Sequence, residues 1–106
     1  MKTLKVIESH DYVDTRALYP SDTIYSGILS AGVKQDVTVP TGADFVIFVC
    51  NNDFYVNYDT TAALPTGSIS QAGGELNPEI RYIGETTTIQ IIAEVSCTVT
   101  LAFYSK

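Results

Sequence analysis

The reactive side chains of this 106-residue sequence are few. His10 is the only histidine, which excludes a multi-histidine metal centre and leaves a Ser-His-Asp relay dependent on one imidazole in the least regular stretch of the chain. The simpler reading of His10 is a pH-responsive surface residue. Asp53 with Asp59, or Glu75 with Glu79, could serve as acid-base pairs for glycoside cleavage. Sequence spacing does not encode the separations of about 5 to 10 Å that such chemistry needs, and solvated loop acids are the ordinary reading. Asn51, Asn52, Asp53, Asn57 and Asp59 offer the oxygen ligands that calcium takes, but without the spacing and closing Glu of an EF-hand; turn formation explains Asn-Asn-Asp equally well. Gly73-Gly74 lacks the following Lys-Ser/Thr pair and helix of a phosphate loop, and reads as a turn. No catalytic residue, metal site or cofactor is expected.

Aromatic side chains give a different opening. Seven tyrosines and no tryptophan are present, and Tyr55 and Tyr58 are the candidates for stacking on a ligand such as a sugar. A carbohydrate-binding module, fibre- or lectin-like, is therefore the alternative function. At strand spacing, aromatics more commonly serve sheet packing or an oligomer contact. Twelve acidic residues against six basic ones give a net charge of -6. Lys2, Lys5, Arg16, Lys34, Arg81 and Lys106 are scattered, so a nucleic-acid partner is not expected. No apolar run approaches the ~20 residues of a membrane span, nor does a signal-peptide core follow Met1-Lys2, and the expectation is a chain made and kept in the cytosol, or exported only as part of something larger. Cys50 and Cys97 then read as reduced, buried small hydrophobes, with a disulfide between them the alternative pairing.

The elements that must position these groups are strands. From Gly32 onward, short β-branched and aromatic runs alternate with Gly, Pro, Asn and Asp, and no helical period is sustained. Residues 34–40 place Val37 and Val39 opposite Asp36 and Thr38. Residues 44–50 are apolar on both faces, which predicts a central strand covered on both sides by a second sheet or a neighbouring subunit. Asn51-Asn52-Asp53 predicts a hairpin into 54–58, with Phe54, Val56 and Tyr58 on one face and Tyr55 and Asn57 on the other. Pro78 restricts 79–83 to an edge strand. Residues 86–94 and 98–104 predict a second hairpin through Val95-Ser96. Thr23 to Ser30 reads as a strand, since Gly27 would cost a helix ~1 kcal/mol. The expectation is an all-β chain, a single jelly-roll-like antiparallel β-sandwich over 23–106, with 1–22 as an N-terminal arm or edge strand that packs on another subunit.

The run Asp36-Val-Thr-Val-Pro-Thr-Gly-Ala-Asp-Phe-Val-Ile-Phe-Val-Cys, followed by Asp53-Phe54-Tyr55-Val56, resembles small virion structural proteins of tailed bacteriophages and prophages. Leu76-Asn77-Pro78 with a following Arg, an apolar Ile/Ala strand and a terminal Phe103-Tyr104 continue the likeness over residues 27–104. The resemblance implies a capsid decoration or cement protein, or part of a fibre. It further implies a homo-oligomer, dimer or trimer, that binds the major capsid protein in the virion, with no catalytic residues to carry over. Met1 to Asp22 has no counterpart in that pattern. Apolar positions such as Val46, Phe48 and Ile92 would on this view be covered by identical neighbours.

Overall fold

The computed structural model describes residues 1–8, 16–71 and 73–106. His10 and most of the polar stretch 11–17 lie outside the described residues. Ten strands follow in chain order: β1 (Val6–Glu8), β2 (Arg16–Leu18), β3 (Thr23–Leu29), β4 (Gln35–Thr38), β5 (Phe45–Cys50), β6 (Tyr55–Tyr58), β7 (Glu75–Leu76), β8 (Ile80–Tyr82), β9 (Thr88–Ile92) and β10 (Cys97–Tyr104).

Period-two alternation decides which side of each strand is buried. In β10, Cys97, Val99, Leu101 and Phe103 are buried, while Thr98, Thr100 and Ala102 point the other way. The same pattern buries Val46 and Phe48 of β5, Val56 of β6, and Ile89 and Ile91 of β9. These strands form two four-stranded antiparallel sheets, ordered β3-β10-β5-β8 and β4-β9-β6-β7. The sheets stack with their buried faces together, as the tilted Phe48 and Phe54 rings at 5.9 Å show. Phe103 and Ile89 lie at the centre, fully enclosed.

The pairing is nested. β3 pairs with β10, β4 with β9, β5 with β8 and β6 with β7. One long antiparallel hairpin of eight strands is thus rolled up so that its successive pairs alternate between the two layers, which is the jelly roll. The sandwich expected from the strand pattern is the fold observed.

Two local expectations are overturned by this arrangement. Asn51-Asn52-Asp53 does not close a hairpin, because β5 and β6 belong to different sheets, and the same holds for β9 and β10. Both connections carry the chain over the edge of the sandwich. The inward faces of the joined strands therefore meet across the core instead of lying side by side. Within the chain, the second sheet covers only one face of β5, and cover of the other would fall to the neighbouring subunit that its apolar run equally allows. Val46 and Phe48 are buried by the chain's own second sheet, but Val49 stays 65% exposed. Ile92 too is buried within the chain, so Val46, Phe48 and Ile92 are not apolar surface left over for a neighbour.

Polar side chains hold the connections. Asn77 adopts a left-handed backbone (φ 50°) and accepts the Phe54 N–H on its Oδ1 at 3.0 Å. Asp59, also left-handed (φ 57°), accepts from the Thr88 N–H at 2.9 Å and the Thr87 hydroxyl at 2.8 Å. Asn and Asp tolerate this conformation because their short polar side chains bond locally. At the N-terminus, Thr3 bridges in parallel to Ser105, and the Leu4 N–H reaches the Ser105 carbonyl at 2.9 Å. The first residues of the arm thus lie along their own chain's C-terminus. β1 and β2 pair with each other as a separate two-stranded ribbon.

Candidate interaction surface

Residues paired directly across an antiparallel ladder share a face, so the register of the first sheet reads out its outer surface. One row runs Ile24, Ala102, Ile47, Ile80 across all four strands. The next is aromatic, with Tyr104, Phe45 and Tyr82 in line. On the other side come Ser26, Thr100 and Val49, then Ile28 with Thr98. No charged side chain occupies any of these positions, in a chain with eighteen charged residues by the count of twelve acids and six bases. Ile24, Ile28 and Tyr82 are 53%, 66% and 57% exposed.

The face is uneven in cover. Near its C-terminal corner Tyr104 is buried, and its hydroxyl donates to the Tyr19 carbonyl at 2.8 Å. Phe45 and Tyr82 meet edge to face at 5.4 Å, and the Lys106 ammonium sits 4.9 Å over the Tyr82 ring at the rim. The Ser26 and Thr100 hydroxyls bond each other at 3.1 Å, so even the polar pair in the middle is satisfied within the sheet. The remaining rows are open. With strands about 4.8 Å apart and about 20 Å of length, the face measures roughly 400 Å² in plan.

The second sheet presents a different exterior. Asp36 pairs with Gln90, Thr38 with Thr88, and Asn57 with Gln90 from the other side. The segment after β6 lies against this surface, since the buried Ala62 donates its N–H to Gln90 Oε1 at 2.8 Å. Ile92, on the same side of β9, is only 6% exposed.

Tyr55 and Tyr58 are not brought together. Three residues apart on β6, they fall on opposite faces of the second sheet. Tyr58 turns inward against the core, as Phe54 and Val56 do, whereas Tyr55 pairs with Ile92 and Leu76 on the outer side. They form no common stacking platform. The Tyr58 hydroxyl is buried beside Glu75 without a well-formed hydrogen bond, and burial, with the Glu75 charge adding to it, raises its pKa.

Several of the acids and amides flagged by type are engaged in structure. Asp53 accepts from the Asn77 amide at 2.9 Å, and Asn51 Oδ1 accepts the Thr98 N–H at 2.9 Å. Glu75 on β7 takes a charged hydrogen bond at 2.7 Å from Arg81 on β8, clasping the two sheets at one edge. Among the described residues, no three His, Cys, Asp or Glu side chains gather as a metal site would require. An open hollow of about 430 Å³ at one end of the sandwich is lined by Cys50, Asn52, Asp53, Asn77 and Glu79, among others. Cys97 is buried, but Cys50 is only partly so.

Sequence reasoning picked out tyrosines and missed the uncharged sheet face. The signal was present as a coincidence of alternations: positions 24 and 28, 45 to 49 in steps of two, 80 and 82, and 98 to 102 in steps of two all lack charge. It becomes visible only when those strands are known to be neighbours. Comparison with protein-family models, curated proteins and solved structures finds no match for the chain.

Proposed function

We propose that the chain is a non-enzymatic structural protein of a tailed-bacteriophage virion, a capsid decoration or cement protein. It is synthesised in the host cytoplasm, self-associates, and binds the major capsid protein. The observation that carries this reading is the outer face of the β3-β10-β5-β8 sheet, whose ladder positions hold no charged side chain, with Lys106 standing only at its rim. In a chain of net charge -6, copies approaching through other surfaces repel one another, whereas this face meets its twin without like-charge cost.

The size of the face fits the role. Two such faces in contact cover roughly 800 Å² in plan, which is about half of a standard stable interface. A pair held this way is weak alone. On a particle, a lattice of capsid subunits sets a high effective concentration, and modest contacts then add up to firm attachment. The likeness of residues 27–104 to small phage virion proteins points the same way. The jelly roll itself does not choose, because capsid proteins, lectins and cupins all use it.

The test is mass spectrometry of purified particles from cells carrying the gene, alongside sedimentation of the isolated protein up to about 100 µM. A stoichiometric particle component, with reversible self-association in solution, is expected. Absence from particles would overturn the assignment.

A further inference from the structure

Two thiols meet at the end of the sandwich that opens on the hollow. Cys50 ends β5 and Cys97 begins β10, which are adjacent antiparallel strands. The register pairs Cys50 with Val99, so the cysteines are diagonal neighbours on the inward side of the sheet. Their Sγ atoms lie 3.3 Å apart. A bond of about 2.05 Å is thus reached by moving the sulfurs roughly 1.3 Å, a side-chain adjustment. The backbone on either side is already pinned, by the Asn51 N–H on the Thr98 carbonyl at 3.3 Å and the Thr98 N–H on Asn51 Oδ1.

We propose that Cys50 and Cys97 form a redox-closed clamp, a dithiol under reducing conditions and an intramolecular disulfide once the protein meets an oxidised thiol such as glutathione disulfide. Access sets the order of steps. Cys50 lines the hollow and is only partly buried, so a solvent-borne disulfide reaches it first. The Cys50 thiolate attacks one glutathione sulfur, forming the mixed disulfide and expelling one glutathione thiolate. Cys97 then gives up its proton to solvent and its thiolate attacks Cys50 Sγ, the mixed bond breaks, and the second glutathione thiolate leaves. The two protein thiols lose two electrons and two protons; glutathione disulfide takes them up as two glutathione molecules. Burial, with the Cys50 contact adding to it, pushes the Cys97 thiol up to about 11, so Cys97 is a poor target for reagents in solution while it stands within reach of Cys50.

Closure would tie together residues 47 apart in sequence, enclosing β6 through β9. Constraining so long a segment in the unfolded chain raises the melting temperature, by about 10 °C or more for a chain of this size. The clamp is reversible by strong reductant, and it stands whether or not the chain belongs to a particle.

The experiment is incubation of the purified folded protein with glutathione disulfide, followed by thiol alkylation, intact-mass measurement and thermal unfolding. Expected are a monomer lacking two hydrogens, protection of both cysteines from alkylation, a higher melting temperature and return to the starting state with dithiothreitol. Cys97→Ala should instead stop at a glutathione adduct on Cys50. Any of three results on the unsubstituted protein would overturn the clamp: a persistent glutathione adduct, a disulfide-linked dimer, or two thiols still open to alkylation.

Discussion

The two sheets of this sandwich share one core yet treat their outer faces in opposite ways. On the β4-β9-β6-β7 side, the chain covers its own surface. Ala62 is tied to Gln90, Asp59 anchors the start of the covering segment to Thr87 and Thr88, and the apolar Ile92 is buried. On the β3-β10-β5-β8 side, Ile24, Ile28, Ile80, Val49 and Tyr82 stand exposed. An apolar residue on an outer strand face is therefore ambiguous in itself. What distinguishes a folded-chain contact from a surface awaiting a partner is whether a loop of the same chain is bonded over it.

The sharpest way to break this comparison is to place one carboxylate on each face. Ile92→Asp puts a charge into an enclosed apolar position, and the expected loss is about 3–5 kcal/mol of unfolding free energy in urea titration. Val49→Asp places the same group in water and should cost less than about 1 kcal/mol, mainly through lost strand propensity. Its effect should appear instead in sedimentation, as self-association weakened by about tenfold or more. Equal destabilisation by the two substitutions would mean that the faces do not differ as described.

A smaller effect tests the cover directly. Gln90→Ala removes the acceptor of the buried Ala62 N–H and leaves that donor unpaired, at an expected cost of about 1–2 kcal/mol. Local opening should accompany it, read as faster proteolytic cleavage within residues 63–71. Unchanged cleavage would show that the segment is held by other contacts.

These contrasts mark how far the sequence could be read. The all-β class, the sandwich, the strand at Thr23–Leu29 and the edge position of β8 were legible because each depends on local alternation and on Gly, Pro and Asn signals. The two supposed hairpins were not. A short polar turn between alternating strands looks the same whether the chain doubles back within a sheet or crosses to the other, and the nested pairing of β3 with β10 spans nearly the whole domain. The apolar run of β5 was ambiguous for a related reason: Ile47 and Val49 fitted cover by a second sheet or by a neighbouring subunit, and only the ladder to Ala102 and Thr100 shows that they lie on the face the second sheet leaves open. Asp59 illustrates the converse, since its type suggested a ligand and its position makes it a brace.

Acidity should separate the two faces with the gentlest perturbation. The Thr88 N–H and the Thr87 hydroxyl stabilise the Asp59 carboxylate and hold its pKa below the ordinary value. A group depressed in the folded state contributes stability that is fully present above its unfolded pKa, near 3.9, and is lost as pH falls through the folded value. The brace at the start of the covering segment should therefore weaken only below about pH 4. Asp59→Asn keeps a residue tolerant of the left-handed backbone and removes the titration. Urea midpoints should place the variant below the unsubstituted protein at pH 7, with the gap narrowing toward about pH 2. The gap should be the smallest of these effects, because the carboxylate is exposed and solvent screens it. Val49→Asn, on the open face, adds no ionisable group, so its stability gap should show no matching narrowing over the same acid range. A constant gap for Asp59→Asn would assign the role of Asp59 to turn geometry instead of its charge.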